Sequence, residues 1–331
     1  MPLKTPPYWY RAPNSPPPIE EMALGLLSGP YQWGHKINQS LHSARKAPIP
    51  ILCVGNAVAG GSGKTPVAQA LMRLIRRHTI TATPFFLTRG YGGTLKAPTL
   101  ISKDQHSHID CGDEALLLAR SAPTVMAPKR IDAAELAAIE GADLGIMDDG
   151  LQHAGLIKDI TFLVIDGQAG FGNLKTLPAG PLREPLSEAI AKSDAFILIG
   201  KDKRGVTNLL PDNKPLFTAH IEAVPESLPE KGPVVAFAGL GRPEKFYHFL
   251  QDMGYDIRAW HPYPDHHVYG DEELEELTNS AKDHKATLVT TEKDYMRLLN
   301  RPQAKGIKHI AINAVFSHES ELVSFLKDRL Q

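Results

Sequence analysis

Gly60-Gly61-Ser62-Gly63-Lys64-Thr65 brings together residue types that can hold a nucleotide triphosphate. Small side chains let backbone N–H groups curl around an anion, the lysine reaches the outer phosphates, and the threonine hydroxyl is placed to ligate Mg²⁺. The usual spacing of this loop puts a glycine at position 58, where this chain has Val58, followed by Ala59. Other chemistry-bearing groups are scattered along the chain. Asp113-Glu114 precedes an apolar run, Asp148-Asp149-Gly150-Leu151-Gln152-His153 ends another, and Arg183 sits in a Gly- and Pro-rich stretch. Asp265-His266-His267 comes late.

These groups act only if the elements around them aim them. Ile51–Val54 is a short apolar run that reads as a buried strand, and Val67, Leu71, Leu74 and Ile75 follow at helical spacing. The glycine-rich segment therefore joins a strand to a helix, the setting in which an anion meets the positive helix end. A strand over 84–88 runs into Arg89-Gly90-Tyr91-Gly92-Gly93, a flexible loop with a cation and an aromatic that is either a plain turn or a substrate contact. Asp113 and Glu114 open a helix, so one of them can serve as a cap; two adjacent carboxylates also suit a metal ligand and a general base. A strand over 144–147 ends in Asp148 and Asp149, which either turn a hairpin into the strand over 160–165 or face the nucleotide and its Mg²⁺. Gln152 and His153 favour the second, since a turn does not need them. The segment 171–185 reads as a long loop of the lid or binding kind, with the planar fork of Arg183 suited to transferred phosphate. His266 on a strand-to-helix connection can orient a carboxylate base. The paired histidines have no further ligands at metal spacing.

The totals set the class. The chain has 331 residues, 42% of them hydrophobic, and a net charge of −1, which describes an ordinary globular protein of two domains rather than a disordered or nucleic-acid-binding one. Two cysteines without paired spacing fit a reducing, cytoplasmic compartment. No apolar run is long enough to span a bilayer, which takes about 18 residues or more, and the N-terminus does not read as a secretory signal. Residues 1–48 form a proline-rich arm followed by two amphipathic helices with a break at Pro30. Their apolar face carries Ile19, Met22, Leu26, Trp33, Ile37 and Leu41. Lys4, Arg11, Lys36, Arg45 and Lys46 outnumber Glu20 and Glu21 here, which suits a helix lying on an anionic membrane, or else the stripe packs on the main domain. The expected fold is α/β: a phosphate-loop sheet domain covered by helices over 49–208, and a second, smaller α/β domain over 209–331. Gly239-Leu240-Gly241-Arg242-Pro243-Glu244 lacks the third glycine of a dinucleotide fingerprint and is discounted as a cofactor site.

Taken together, Gly55-Asn56, the phosphate loop with Pro66, Arg89-Gly90-Tyr91-Gly92, Gly112-Asp113-Glu114-Ala115 and Asp148–His153 resemble the tetraacyldisaccharide 4'-kinase (lipid A 4'-kinase) family. So do Leu177–Glu184, Asp265-His266 and Thr291-Glu292-Lys293-Asp294, and the likeness covers nearly the whole chain. The family's own loop departs from the usual first glycine, and Leu151 stands where it often has Phe. The resemblance implies transfer of the ATP γ-phosphate to the 4'-hydroxyl of a lipid disaccharide 1-phosphate at the cytoplasmic face of the bacterial inner membrane, by a peripheral or monotopic protein with no obligate protein partner. It implies Asp113 as base in concert with His266, Lys64 and Arg183 on the phosphates, and ATP on Val58–Thr65. It also implies Mg²⁺ near Thr65, Glu114, Asp148 and Asp149, and substrate contacts from Asn56, Arg89, Tyr91, Gln152, His153 and Glu184. Two alternatives are a phosphate-loop kinase of a soluble metabolite and a regulatory ATPase that switches partner binding; the latter's loop carries an extra lysine where this chain has Ala59.

Overall fold

The computed structural model describes residues 6–11, 15–40 and 43–330. Lys4 and Leu41, and the side chain of Lys36, lie outside what is described. The elements are α1 (Ile19–Ser40), β1 (Ile51–Gly55), α2 (Lys64–Arg77), β2 (Pro84–Thr88), β3 (Thr99–Leu100), α3 (His108–Cys111) and α4 (Asp113–Ala119). There follow β4 (Thr124–Met126), α5 (Arg130–Ile139), β5 (Leu144–Asp148), β6 (Ile160–Asp166), α6 (Leu186–Ala191), β7 (Ala195–Ile199) and β8 (Leu216–Ala223). The rest is β9 (Pro233–Gly239), α7 (Glu244–Asp252), β10 (Asp256–Tyr263), α8 (Asp271–Asp283), β11 (Thr287–Thr291), α9 (Glu292–Met296), β12 (Lys308–Ile310), β13 (Ile312–Phe316) and α10 (Glu319–Leu330).

A large sheet runs in the order β13-β8-β7-β6-β1-β5-β2-β4-β3. Its pairings are parallel except at the two edges, where β13 and β3 run antiparallel to their neighbours. Strands buried on both faces need continuous apolar sequence, and β1, β2, β5 and β6 are buried along their whole lengths. One face packs against α2 and α10 through Leu71, Ile75, Leu322 and Leu326. The other packs against α5 through Ile131, Ala134 and Ala137. A smaller sheet, β10-β9-β11-β12, is parallel throughout.

The domain boundary expected at 208/209 falls too early. Strand β8 does not open the small domain; it extends the large sheet by pairing with β7. The chain then builds the small sheet and returns through β13, which pairs with β8, and α10, which covers the large sheet. The small domain is thus an insertion of roughly 224–311, and Ala223 and Ile312 are opposite each other where it leaves and rejoins. Nor does a hairpin follow Asp148, because β1 lies between β5 and β6.

The expected break at Pro30 is also absent: α1 is one helix with Pro30 inside it. Side chains on both sides of the proline pin the helix to the 176–183 segment, which keeps the chain in line despite the lost backbone bond. Ser28 and Gln32 bond Thr176, and Tyr31 donates to the Arg183 carbonyl. Glu21 meets Arg11 and Lys175. The polar side of α1 therefore does the packing, while the apolar stripe stays out, with Leu26 82% and Trp33 74% exposed. Among the described residues no helix is long and apolar enough to cross a membrane.

Candidate active site

Strand β1 is the middle strand of the large sheet and delivers the chain into the phosphate loop at its C-terminal end. Gly55 has to be glycine, since a Cβ there would sit 2.5 Å from the Leu151 Cβ. The loop then bends through Gly60 and Gly63, both left-handed with φ of 100° and 87°, and Lys64 begins α2. Position 58 is not glycine because it does not bend. Val58 bridges antiparallel to Leu182, the Ala59 N–H donates to the Pro181 carbonyl and the Arg183 N–H to the Ala57 carbonyl, so the first half of the loop is an extended, buried segment. This pairing also holds the segment carrying Arg183 and Glu184, read from sequence as a lid or binding loop, directly against the phosphate loop.

Lys64 Nζ lies 3.1 Å from Asn56 Oδ1 and 3.5 Å from Asp149, folded across the loop. Asp149, at a left-handed φ of 54°, also takes Arg183 Nη1 at 3.0 Å. Burial works to raise the Asp149 carboxyl, but Lys64 and Arg183 hold it below the ordinary carboxylate value. Gln152 donates to the Asn56 carbonyl and to Glu184, both at 2.9 Å, and accepts from Arg183 at 3.3 Å. Glu184 is fully buried and paired with Lys192, so its influence passes through Gln152. His153 closes the turn after Gln152 with its N–H on the Gly150 carbonyl.

Thr65 donates to Asp148 at 2.7 Å. Burial, helped by the nearby Glu114 charge, pushes the Asp148 carboxyl up to about 7. Its other oxygen, Oδ1, is buried with no hydrogen-bond partner among the described residues. An orphaned carboxylate oxygen beside a threonine hydroxyl fits Mg²⁺, which takes one or two carboxylates and completes its shell with phosphate and water oxygens. Glu114 and Asp149 are turned elsewhere, Glu114 to Lys293 at 3.0 Å and Asp149 to its two cations. Among the described residues no group of three or more His, Cys, Asp or Glu side chains converges as a metal cluster.

The second half of the site is built between domains. Asp113 is the first residue of α4, after Gly112, whose φ of 86° and contact with the Tyr91 carbonyl (2.2 Å from a built Cβ) demand glycine. The Asp113 carboxylate is 4% exposed. Its Oδ1 accepts the Glu114 N–H at 2.8 Å, and His266 Nδ1, from the small domain, lies 3.0 Å from Oδ2. Arg297 Nε lies 3.0 Å from the same oxygen. Burial opposes ionisation of Asp113, yet the His266 hydrogen bond and the Lys293 and Arg297 charges outweigh it and hold the carboxyl well below the usual range. For His266 the balance runs the other way. Burial would lower the imidazole, and the bond to Asp113 raises it above its ordinary value. Its φ of 58° places it in the left-handed region, a conformation that costs about 1–3 kcal/mol and is kept here by the contacts the ring makes. Those contacts are Asp113, Lys293 at 3.4 Å from Nε2, and the Tyr91 ring at 5.2 Å between centroids. Arg89, next to that loop, is exposed.

The expected residues thus fall into two adjoining groups, linked where the Glu114 charge acts on Asp148. Sequence alone assigns no role to Arg297, Asp166, Arg242 or Lys245, although Asp294 within α9 and Arg297 just past its end form an i, i+3 pair of opposite charge. Arg297 backs Asp113 while its other nitrogens hold the Gly239 and His267 carbonyls. Lys293, quoted in the family motif without a role, is the partner of Glu114.

A mostly parallel sheet whose middle strand runs into a glycine-rich loop, with the next strand's carboxylate on the loop threonine, defines a phosphate-loop nucleotide-binding protein. Within that class the chain belongs to the tetraacyldisaccharide-1-P 4'-kinase family, whose model matches residues 22–331. It is 45% identical over 277 residues to a tetraacyldisaccharide 4'-kinase of Paramagnetospirillum magneticum, covering 83% of this chain and 85% of the relative. It is 38% identical to one of Bradyrhizobium diazoefficiens over 99% of this chain and 97% of that one. A solved structure, the "apo" form of LpxK from Aquifex aeolicus in complex with ATP, superposes with a TM-score of 0.75 at 26% identity, over 95% of this chain and all of that one.

Proposed function

We propose that this chain transfers the γ-phosphoryl group of ATP to the 4'-hydroxyl of a tetraacylated glucosamine disaccharide 1-phosphate. The observation that carries the reading is the Asp113–His266 pair, contributed by two domains and closed at 3.0 Å beside a phosphate loop. In the reaction the 4'-oxygen forms the new P–O bond, the bond from the γ-phosphorus to the bridging oxygen breaks, and ADP leaves. Such transfer asks a protein for positioning and charge neutralisation more than for covalent chemistry. Lys64 gives up Asn56 and Asp149 for the outer phosphate oxygens, and Arg183 offers its planar fork from the segment bonded to the loop. Thr65 and Asp148 would hold Mg²⁺, which supplies neutralisation of phosphate charge when bound.

The hydroxyl proton goes to Asp113. A carboxylate held so strongly ionised is a weak base, but in a loose transition state the alcohol keeps its proton until late, so a weak, well-placed acceptor suffices. His266 on the same carboxylate shares the proton, and the pair titrates as a unit. Tyr91 borders this pair, and it and Arg89 of the same loop would face the sugar. Gln152, Glu184 and Asn56 would act by holding Arg183 and Lys64.

The acyl chains would remain in a bilayer under α1. Ile19, Met22, Leu26, Trp33 and Ile37 all fall on one exposed helical face, and an uncovered apolar stripe of this kind suits a helix lying in the cytoplasmic membrane surface. The test is phosphate transfer from Mg-ATP to detergent-dispersed disaccharide 1-phosphate lipid, followed by mass spectrometry. Gain of one phosphate that depends on Lys64 and Asp113 supports the reading. ATP binding without transfer rejects this acceptor in favour of a soluble one or of a regulatory ATPase.

A further inference from the structure

The small domain meets the large one at a second place, away from Asp113 and on the phosphate loop itself. Asp166, the last residue of β6 and buried, receives Arg242 Nη2 at 2.9 Å, from the turn before α7, and Lys245 Nζ at 2.5 Å, from its first turn. Lys245 also donates to the Gly61 carbonyl at 2.9 Å, on the phosphate loop itself. A Cβ built on Gly241 would lie 3.5 Å from the Gly60 Cα, so the two domains meet backbone to backbone at this point. The Tyr10 ring lies 5.2 Å from the Arg242 guanidinium.

The stretch that carries these cations begins at Gly239, the end of β9. The Gly239 N–H donates to Asp294 at 2.8 Å and its carbonyl accepts from Arg297 at 3.1 Å. Arg297 in turn lies against Asp113. Only Leu240 and Gly241 therefore separate the backbone that anchors the support of Asp113 from the side chain that grips Asp166. Two charged contacts, one on each flank of the phosphate loop, are joined through one short segment.

We propose that Asp166, Arg242 and Lys245 are positioning residues that set the small domain over the phosphate loop so that His266 and Lys293 meet Asp113 and Glu114 in register. The proposal rests on the Asp113–His266 reading above. The contact acts through the placement of the dyad, since a misplacement of about 1 Å in a reacting group can cost about 10²-fold in rate.

The experiment is steady-state kinetics on the full-length protein with Arg242→Gln, Asp166→Asn, the conservative Arg242→Lys, and Arg242→Gln and Asp166→Asn each combined with His266→Ala. Thermal unfolding is recorded for each, and binding of a non-hydrolysable ATP analogue is measured separately. The latch predicts kcat down by about 10- to 100-fold in Arg242→Gln with analogue affinity nearly unchanged, and partial recovery in Arg242→Lys, which keeps a cation against Asp166. It also predicts that His266→Ala loses less in the Arg242→Gln background than in the native one, a coupling that simple destabilisation does not produce. Loss of analogue affinity at unchanged kcat would make these cations nucleotide contacts and overturn the proposal, as would strict additivity with His266→Ala. Full activity of His266→Ala alone would reject the dyad reading itself. Its normal loss beside an unaffected Arg242→Gln would reject only the latch.

Discussion

Replacing Asp113 by Asn keeps the volume of the buried side chain and removes its charge. Two effects follow, and their sizes differ. The proton acceptor is lost, which for a general base is about 10²- to 10⁴-fold in kcat, or about 3–5 kcal/mol of activation free energy. The structural effect is smaller, because Arg297 keeps Asp294 at 3.1 Å and the carbonyls of Gly239 and His267 when Asp113 is neutral. A buried cation left without any partner would cost about 3–5 kcal/mol; one that retains a carboxylate and two carbonyls costs less. Nothing in the change touches Lys64, Thr65 or the loop N–H groups. Single-turnover phosphate transfer should therefore fall by at least about 100-fold while titration calorimetry of ATP gives nearly the native affinity. Parallel loss of ATP affinity would make Asp113 part of the nucleotide or metal site, and kcat within about threefold of native would remove it from the chemistry.

Other outcomes follow from the same geometry. With its value raised by Asp113, His266 should titrate above about 6.5, giving the acid limb of kcat/KM there; proton NMR of the ring in Asp113→Asn should show the value falling. The sign for stability is that protonated His266 supports the fold below its ordinary value, and this support is lost as pH rises through the raised one. Asp148, pushed up to about 7, must shed a proton to ligate Mg²⁺, so Mg²⁺ affinity in the presence of ATP should be weaker at pH 6 than at pH 8, with proton release seen calorimetrically. Gly55→Ala drives a methyl to 2.5 Å from the Leu151 Cβ and should lower the unfolding free energy by about 1–3 kcal/mol or more in denaturant titration. Leu26→Asp with Trp33→Asp, both on the exposed stripe, should reduce sedimentation with anionic vesicles and leave the melting temperature unchanged.

The phosphate loop was legible because its chemistry is local: strand, glycines, lysine and helix are contiguous, and even Val58 became intelligible once its bridge to Leu182 was seen. Asp113 and His266 were legible by residue type and family motif, but their contact spans 153 positions and no periodicity could have placed it. The domain boundary failed for a related reason. Strand β8 is followed by more strands and helices that look like a second domain, and only the distant β13 and α10 reveal that the chain returns to the first sheet. Pro30 was read by its backbone rule, which the tertiary bonds of Ser28, Tyr31 and Gln32 override. Arg242 lies in a stretch whose only local pattern is an incomplete dinucleotide fingerprint. Its partner Asp166 ends a different sheet, so the pair has no signature in sequence.

Transfer to the 4'-hydroxyl is read most directly by phosphorus NMR of the lipid formed from Mg-ATP and the disaccharide 1-phosphate by the native protein and by Lys64→Met. A second phosphomonoester correlated to the proton on carbon 4' is expected with the native protein and not with Lys64→Met. A phosphate at any other position, or inorganic phosphate released from ATP with the lipid unchanged, would contradict it.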